Sequence, residues 1–199
     1  FGFILFKGYP FLSSLFYSFT DFHLFEGIHR IGLQNYQEIF RNKKILAAFA
    51  TTFRYAFMTV PLKLCFALFV AYILNFQLKG VKLFRTAYYI PSILGGSVAI
   101  SVLWIINLFL SFFGVQGPNW LANKGTALFI ICLLRVWQFG SSMVIFLAAL
   151  KSVSPDLYEA ASLDGAGKWR QFFSITVPLI TPVIFYNLVT QLVQAFQEF

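Results

Sequence analysis

The stretch EAASLDGAGKWRQFFSITVP, residues 159–178, is a charged, glycine-containing loop between two long apolar segments. Just before it, Ser-Pro-Asp at 154–156 is typical of a helix start, because Ser caps, Pro fits the first helical position and Asp suits the positive end of the dipole. Asp-Gly at 164–165 is a stop signal, since Gly tolerates the left-handed conformation. We therefore predict a short helix from Pro155 to Leu163, followed by a reversal.

The predicted helix has one thin side, formed by Ala-Ala-Ser at 160–162, that could enter a narrow cleft. A helix that merely joins two spans would leave Glu159 unexplained. Beyond the reversal, Trp169, Phe172 and Phe173 are spaced i, i+3 and i+4, which places them on one helical face. That spacing predicts an interfacial helix with its aromatic side chains toward lipid or the bundle.

The composition excludes a soluble fold. Hydrophobic residues make up 59% of the chain, charged residues 11%, and the mean hydropathy is +0.75, whereas a soluble domain has about a quarter of its residues charged. The net charge of +8 does not indicate a nucleic-acid partner, because the basic residues are scattered and membrane proteins favour them in cytoplasmic loops. Cys65 and Cys132 each lie in an apolar run and are predicted to be small buried hydrophobes.

Five stretches reach or approach the roughly twenty apolar residues that a membrane-spanning helix needs. Spanning segments must satisfy their backbone polar groups internally, and nothing here shows the alternation of barrel strands. We therefore predict an all-α, polytopic transmembrane bundle that forms a single domain over residues 1–199. The candidate spans are residues 1–19, 45–78, 87–110, 126–150 and 178–196.

The loop closely resembles the cytoplasmic EAA loop of the membrane subunits of binding-protein-dependent ABC importers. The shared pattern is Glu-Ala-Ala at 159–161, three residues, Gly165, nine residues, then Ile175, Val177 and Pro178. Val177 stands where that family usually has Leu. The resemblance implies that residues 151–177 form a cytoplasmic loop that docks on an ATPase. The implied ATPase-coupling residues are Glu159, Ala160, Ala161, Asp164 and Gly165.

The resemblance extends to other parts of the chain. YPFLSSLFYSFTDF at 9–22, with GLQNYQEIF at 32–40, is similar to the first span and outer loop of sugar permeases of the maltose and glycerol-phosphate type. LKGVKLFRTAYYIPSIL at 78–94 resembles their second connector and third span, and VWQFGSSMVIFLAALKSVSPDLYEAA at 136–161 their fourth span. The implied fold is the type I, MetI-like permease bundle.

The family pattern also implies missing segments. It usually has a sixth span after the point where this chain stops, and we expect both ends to be truncated. It usually has a longer stretch after the third-span tryptophan, whereas Trp104 runs straight into Ile-Ile-Asn at 105–107. We therefore expect about ten residues of the family pattern to be absent there.

The number of basic residues is similar in the connectors on the two sides, so the positive-inside rule does not orient the chain. The EAA resemblance places residues 151–177 in the cytoplasm. Alternation of the spans then places residues 76–85 on the same side and residues 21–44 outside.

Two polar stripes lie within the predicted spans. Asn187, Gln191, Gln194 and Glu198 follow i, i+4, i+7 and i+11 spacing, and Arg135 begins a shorter stripe in the fourth span. A charge near the bilayer centre costs about 2.5–3.5 kcal/mol, so Arg135 is expected to face protein or water. The stripes could line a path for a polar solute, or they could form hydrogen bonds to a partner permease. The candidate path residues are Gln138, Ser142, Asn187, Gln191 and Gln194.

Catalytic motifs are missing from the sequence. It has no G-x-x-x-x-G-K-[ST] phosphate loop, and His23 and His29 lie six apart in an outer connector, where we expect them to be solvated. The chain is not expected to be an enzyme or to hold a cofactor, so ATP and Mg would be bound by partner subunits.

The resemblance implies a permease subunit that moves a sugar or oligosaccharide into the cell across the bacterial cytoplasmic (inner) membrane. The implied partners, besides membrane lipid, are a second related permease, two ABC ATPase subunits and an extracytoplasmic solute-binding protein; no nucleic acid is expected. The alternative is an ion-coupled secondary transporter, which would be expected to carry an inverted repeat. The sequence shows no repeat, and it does not identify the sugar.

Overall fold

The structure is a computed structural model that describes residues 1–22, 27, 31–76, 81–114, 116–117, 121–122 and 124–198. For residues 81–82, 94–100 and 124 it describes the backbone only. The described residues form mainly helices. Their β-type pairing includes an isolated antiparallel bridge between Thr20 and Ile31. The predicted all-α class is therefore confirmed. His23, His29, Asn119 and Trp120 lie outside the described residues.

The chain divides into two compact units, residues Phe1–Thr51 and Thr52–Phe199. In the first unit, a π-helical turn at Ile4–Gly8 leads into α1 (Tyr9–Ser18), and α2 covers Gln34–Arg41. The side-chain amide of Asn35 donates to the carbonyls of Ser18 (3.0 Å) and Thr20 (2.8 Å). These bonds hold the start of α2 against the end of α1. Helix α2 lies in a connector that was not predicted to be helical.

The second unit contains most of α3 (Lys43–Asn75) and the helices that follow it. These are α4 (Val81–Phe112), α5 (Lys124–Trp137), α6 (Gly140–Ser152), α7 (Pro155–Leu163), α8 (Lys168–Gln171) and α9 (Val177–Gln197). A π-helical turn at Phe172–Thr176 joins α8 to α9. Helices thus cover all five predicted spans where they are described, apart from residues at the span ends and residues 138–139 in the fourth.

The described helices differ in how well they meet the requirements for crossing a membrane. Lys43–Asn75 and the continuous helical stretch Lys168–Gln197 are each long and apolar enough. Gly125–Trp137 and Gly140–Ser152 meet the criterion as a pair, with a bend of 44° between them. The fourth predicted span is therefore a broken helix, and the sequence analysis did not anticipate the break.

The core of the second unit is formed by α3, α6 and α9. Its fully buried side chains include Tyr55 from α3, Met143 and Phe146 from α6, and Ile180 from α9. Small residues on α3, such as Ala56, Ala67 and Ala71, are completely buried and allow close helix packing. Apolar side chains on the opposite faces of these helices are exposed, as expected for surfaces that contact lipid or partner helices.

The cysteine prediction is half right. Cys132 is buried at 2% exposure, but Cys65 is exposed, and both thiols are free. Cys65 lies on a side of α3 that the core does not cover, because the buried residues of α3 recur on the other side of the helix. An apolar run alone does not indicate which helical face is covered.

Phe139 and Gly140 hold the bend between α5 and α6 in place. The buried Phe139 ring packs edge-on against Phe66 of α3, with centroids 4.8 Å apart, and against Tyr88 of α4 at 5.7 Å. Gly140 allows α4 to approach closely, because a Cβ at this position would lie 2.8 Å from the Tyr89 Cα and closer still to the Tyr88 carbonyl oxygen. The break between α5 and α6 therefore packs against both α3 and α4.

Candidate functional site

Helix α7 has the boundaries that its sequence predicts. The Ser154 hydroxyl oxygen accepts a hydrogen bond from the Asp156 backbone N–H at 3.3 Å, and Pro155 is the first helical residue. Gly165 has φ = 76°, and the N–H of Ala166 donates to the carbonyl of Ala161 at 2.9 Å. These two features, with the Gly165 N–H bonding to the Ser162 carbonyl, form a Schellman C-cap.

The EAA residues lie mostly on the outside of the helix. Glu159, Ala160, Asp164 and Gly165 are exposed, and Ala161 is half-buried. Within the described part of the chain, no hydrogen bond or ion pair engages the Glu159 carboxylate. The structure therefore presents this acidic, small-residue surface to the surroundings, where another protein can reach it.

The inner side of α7 is fastened to the segment that leads into α9. The Tyr158 hydroxyl is 2.8 Å from the hydroxyl of Thr176, which is 1% exposed. The buried Gln171 amide nitrogen donates to the Ser162 hydroxyl oxygen at 2.9 Å and to the Ala166 carbonyl at 2.8 Å. We call these contacts of Tyr158, Thr176, Gln171, Ser162 and Ala166 the loop clamp. The sequence analysis did not predict it.

The three aromatic residues of the loop are in ring contact through Phe173, which lies 5.1 Å from Phe172, as a shared helical face predicts, but they differ in exposure. Trp169 and Phe173 are 76% and 62% exposed, and their rings stack with centroids 6.3 Å apart. Phe172 is half-buried and packs edge-on against Tyr72 of α3 at 4.8 Å. The spacing thus brought the rings together, but it did not indicate that Phe172 would pack against α3.

A polar cluster lies in the interior of the second unit, between α3, α5 and α9. The buried ammonium of Lys63 donates to the Gln191 side-chain oxygen at 2.7 Å. Gln191 lies about 20 Å along α9 from its first residue, given a rise of 1.5 Å per residue. A buried cation such as Lys63, far from the end of a membrane-spanning helix, is costly and marks a functional site by default.

The Lys63–Gln191 pair is one half of the polar cluster, and Arg135 with the side chains it bonds is the other half. Its Nε donates to Glu198 at 2.9 Å, a second nitrogen forms an ion pair with the same carboxylate, and Nη1 donates to the Gln138 oxygen at 2.7 Å. The Tyr55 hydroxyl also donates to Glu198. Two-pronged arginine–carboxylate pairs are among the stronger protein hydrogen bonds, so Arg135 ties the ends of α5 and α9 to α3.

A cavity of about 20 Å³ lies between the two halves of the cluster. A space of this size accommodates about one water molecule. Its lining includes Lys63, Arg135, Glu198 and Thr59, and the buried Thr59 hydroxyl has no hydrogen-bond partner among the described residues. The cluster is therefore compact, and it has no room for a sugar in this conformation.

The candidate path residues are distributed unequally. Gln138, Ser142, Asn187 and Gln191 are all buried within the unit, whereas Gln194 is exposed at the edge of the cavity. The Gln138 and Gln191 side-chain oxygens accept hydrogen bonds from Arg135 and Lys63. Their assignment to a solute path thus remains a prediction, which requires the cluster to open.

The sequence analysis missed three members of the cluster, Tyr55, Thr59 and Lys63. They recur at i, i+4 and i+8 on α3, which, like the i, i+4, i+7 and i+11 spacing on α9, places side chains along one side of a helix. A cation within an otherwise apolar span was the available signal. The stripe on α3 and the stripe on α9 face each other in the structure.

The chain belongs to the family described as binding-protein-dependent transport system inner membrane component, whose pattern matches residues 33–199. The Bacillus subtilis (strain 168) protein named "Probable ABC transporter permease protein YesP" is 47% identical over 208 aligned positions, which cover all of this chain and 67% of that protein. The sn-glycerol-3-phosphate transport system permease protein UgpA of Yersinia pestis is 37% identical over 175 positions, or 83% of this chain and 59% of that one. The chain thus spans roughly three fifths to two thirds of these relatives.

Two solved structures share the fold. A bacterial ABC transporter involved in import of the acidic polysaccharide alginate matches with a TM-score of 0.80 and 22% identity over 98% of this chain and 69% of that one. The bacterial alginate transporter in complex with a pentasaccharide-bound periplasmic protein matches with a TM-score of 0.77 and 22% identity over 95% of this chain and 66% of that one. The predicted permease fold is therefore confirmed.

Proposed function

We propose that the chain is the permease subunit of an ABC importer that takes a sugar or oligosaccharide into a bacterial cell across the cytoplasmic membrane. The observation that carries the proposal is helix α7, which is capped at both ends and exposes Glu159 and Ala160. Family membership supports a transport role and disfavours the secondary-transporter alternative. ATP and Mg are bound and used by two partner ATPase subunits and not by this chain.

The proposed solute class is supported by the names of the relatives. UgpA is named as a permease of an sn-glycerol-3-phosphate transport system, and the solved transporter is described as involved in the import of alginate. The polar stripes of α3 and α9 offer amides and hydroxyls, which are both donors and acceptors, as solute hydroxyl groups require. An extracytoplasmic solute-binding protein would deliver the solute, and a second related permease would complete the path.

In the proposed mechanism, closure of the ATPase subunits displaces α7 and shifts the bundle between inward-open and outward-open states. Glu159, Ala160, Ala161, Asp164 and Gly165 form the docking surface. The candidate path residues would face the solute once the polar cluster has opened; they are Asn187, Gln191 and Gln194 on α9, with Gln138 and Ser142.

Co-purification with the ATPase tests this proposal. The wild-type chain should retain its ABC ATPase through purification in detergent, and Glu159→Lys should reduce the retained ATPase at least tenfold, because it reverses the charge at the centre of the docking surface. Glu38→Lys makes the same change at an exposed position of α2 and should retain the ATPase. A wild-type chain that retains no ATPase, or a Glu159→Lys variant that retains it fully, would contradict the proposed function.

Cysteine labelling tests the orientation. In a variant without Cys65 and Cys132, single cysteines at Leu163, which is 90% exposed, and at the exposed Gln116 should react with an impermeant thiol reagent from opposite sides of the membrane. Leu163 lies in the proposed cytoplasmic loop and Gln116 between α4 and α5. Labelling of both positions from the same side would contradict the topology.

A further inference from the structure

We propose that Tyr158, Thr176 and Gln171 are positioning residues that make α7 and the start of α9 move as one body during coupling. The proposal rests on the proposed function, because it concerns how displacement of α7 reaches the bundle. It assigns a role to side chains outside the docking surface, on the inner side of the loop.

The first observation is that the clamp closes a short loop at two separate points. The Tyr158–Thr176 bond joins the first half of α7 to the last residue of the π-helical turn, and the Gln171 bonds join the end of α7 to α8. Because the bonds engage α7 near both of its ends, they restrict rotation of α7 relative to the start of α9 as well as translation. A single contact would leave α7 able to pivot.

The second observation is that each clamp bond has one buried member. Gln171 is 4% exposed and Thr176 is 1% exposed, whereas Tyr158 and Ala166 are half-buried and Ser162 is exposed. Breaking a clamp bond therefore leaves the buried polar group of Gln171 or Thr176 unsatisfied. The Ser162 hydroxyl, which accepts from Gln171, also donates to the Tyr158 backbone carbonyl at 2.7 Å, so its orientation is fixed on both sides.

The third observation is the continuity from the clamp to the polar cluster. Thr176 immediately precedes α9, and the same helix carries Gln191, which bonds to Lys63. The Phe172–Tyr72 ring contact places α3 against the same turn. A displacement of α7 therefore reaches both helices that hold the Lys63–Gln191 bond.

A distance measurement within the complete transporter tests the proposal. Spin labels are placed at Leu163→Cys on α7 and Leu179→Cys on α9, both exposed positions, in a chain without its native cysteines. Pulsed electron resonance then gives the distance distribution without nucleotide and with ATP and vanadate. We expect one narrow distribution in the wild type that is the same in both states.

Substitutions that remove the clamp should broaden that distribution. Gln171→Leu, Tyr158→Phe and Thr176→Val each remove hydrogen bonds, and we expect about a two- to tenfold rise in the population at other distances for each. The double variant Tyr158→Phe/Thr176→Val should resemble either single variant, because both remove the same bond. Thr176→Ser keeps the hydroxyl and should restore the wild-type distribution, and Gln37→Leu, at an exposed position of α2, should have no effect.

The outcomes separate this proposal from the proposed function. A wild-type distance that shifts with nucleotide, or clamp variants with unchanged distributions, would overturn the clamp even if the ATPase is bound. A lower yield with an unchanged distribution would show a purely structural role and would also overturn it. Failure of the ATPase to co-purify would overturn the proposed function, while the nucleotide-free comparison with Gln171→Leu would still decide the clamp.

Discussion

Arg135→Leu is expected to be among the most damaging single substitutions in this chain. It removes the cation that binds Glu198 and the donor that binds Gln138. Breaking a fully buried ion pair from one side costs about 3–5 kcal/mol. The Arg135 and Glu198 side chains are 34% and 26% exposed, so we expect a smaller loss of stability, on the order of 2 kcal/mol. The measurement is thermal unfolding of the purified protein in detergent.

A second variant distinguishes the ion pair from the arginine alone. Arg135→Leu/Glu198→Leu removes both charges and should be more stable than Arg135→Leu, because it leaves no unpaired carboxylate in the membrane. Arg54→Leu removes an exposed arginine from α3 and should change the unfolding temperature little. A double variant that is less stable than Arg135→Leu would contradict the role assigned to the pair.

The features that could be predicted from the sequence are the local ones. Helix α7 was predicted with its bounds because its caps, Ser154 and Gly165, lie next to the residues they bond. The face of α9 was predicted because spacing alone determines it, and Asn187 and Gln191 are both buried on that face. Such features depend on a few consecutive residues, whose conformational preferences are known.

The features that could not be predicted depend on distant parts of the chain. The partner of Gln191 is Lys63, which is 128 positions away, and periodicity in α9 gives no information about it. Tyr72 and Phe172 illustrate the same limit, since the spacing of aromatic residues in the loop does not indicate that Phe172 packs against Tyr72 of α3. Periodicity in the sequence identifies single helical faces, and the structure shows which of these faces contact each other.

The bend between α5 and α6 is an intermediate case. Gly140 is visible in the sequence, but an isolated glycine in an apolar helix is compatible with an unbroken span. The approach of the α4 backbone explains why glycine is required. This requirement gives a prediction with a matched control.

Gly140→Ala is expected to destabilise the chain by about 1–3 kcal/mol, the usual cost of overpacking. The added Cβ would lie 2.8 Å from the Tyr89 Cα, and backbone cannot rotate away as a flexible side chain can. For a chain of this size, each kcal/mol lowers the unfolding temperature by roughly 2–4 °C. Unfolding in detergent should therefore occur several degrees lower than in the wild type.

Gly167→Ala is the matched control, because a Cβ there meets nothing within 4 Å and its φ of −68° suits any residue. It should unfold within about a degree of the wild type. Gly140→Val should be more damaging than Gly140→Ala, since two further methyl groups enter the same contact with α4. If Gly140→Ala and Gly167→Ala unfolded at the same temperature, α4 would not pack against α6 as the structure shows.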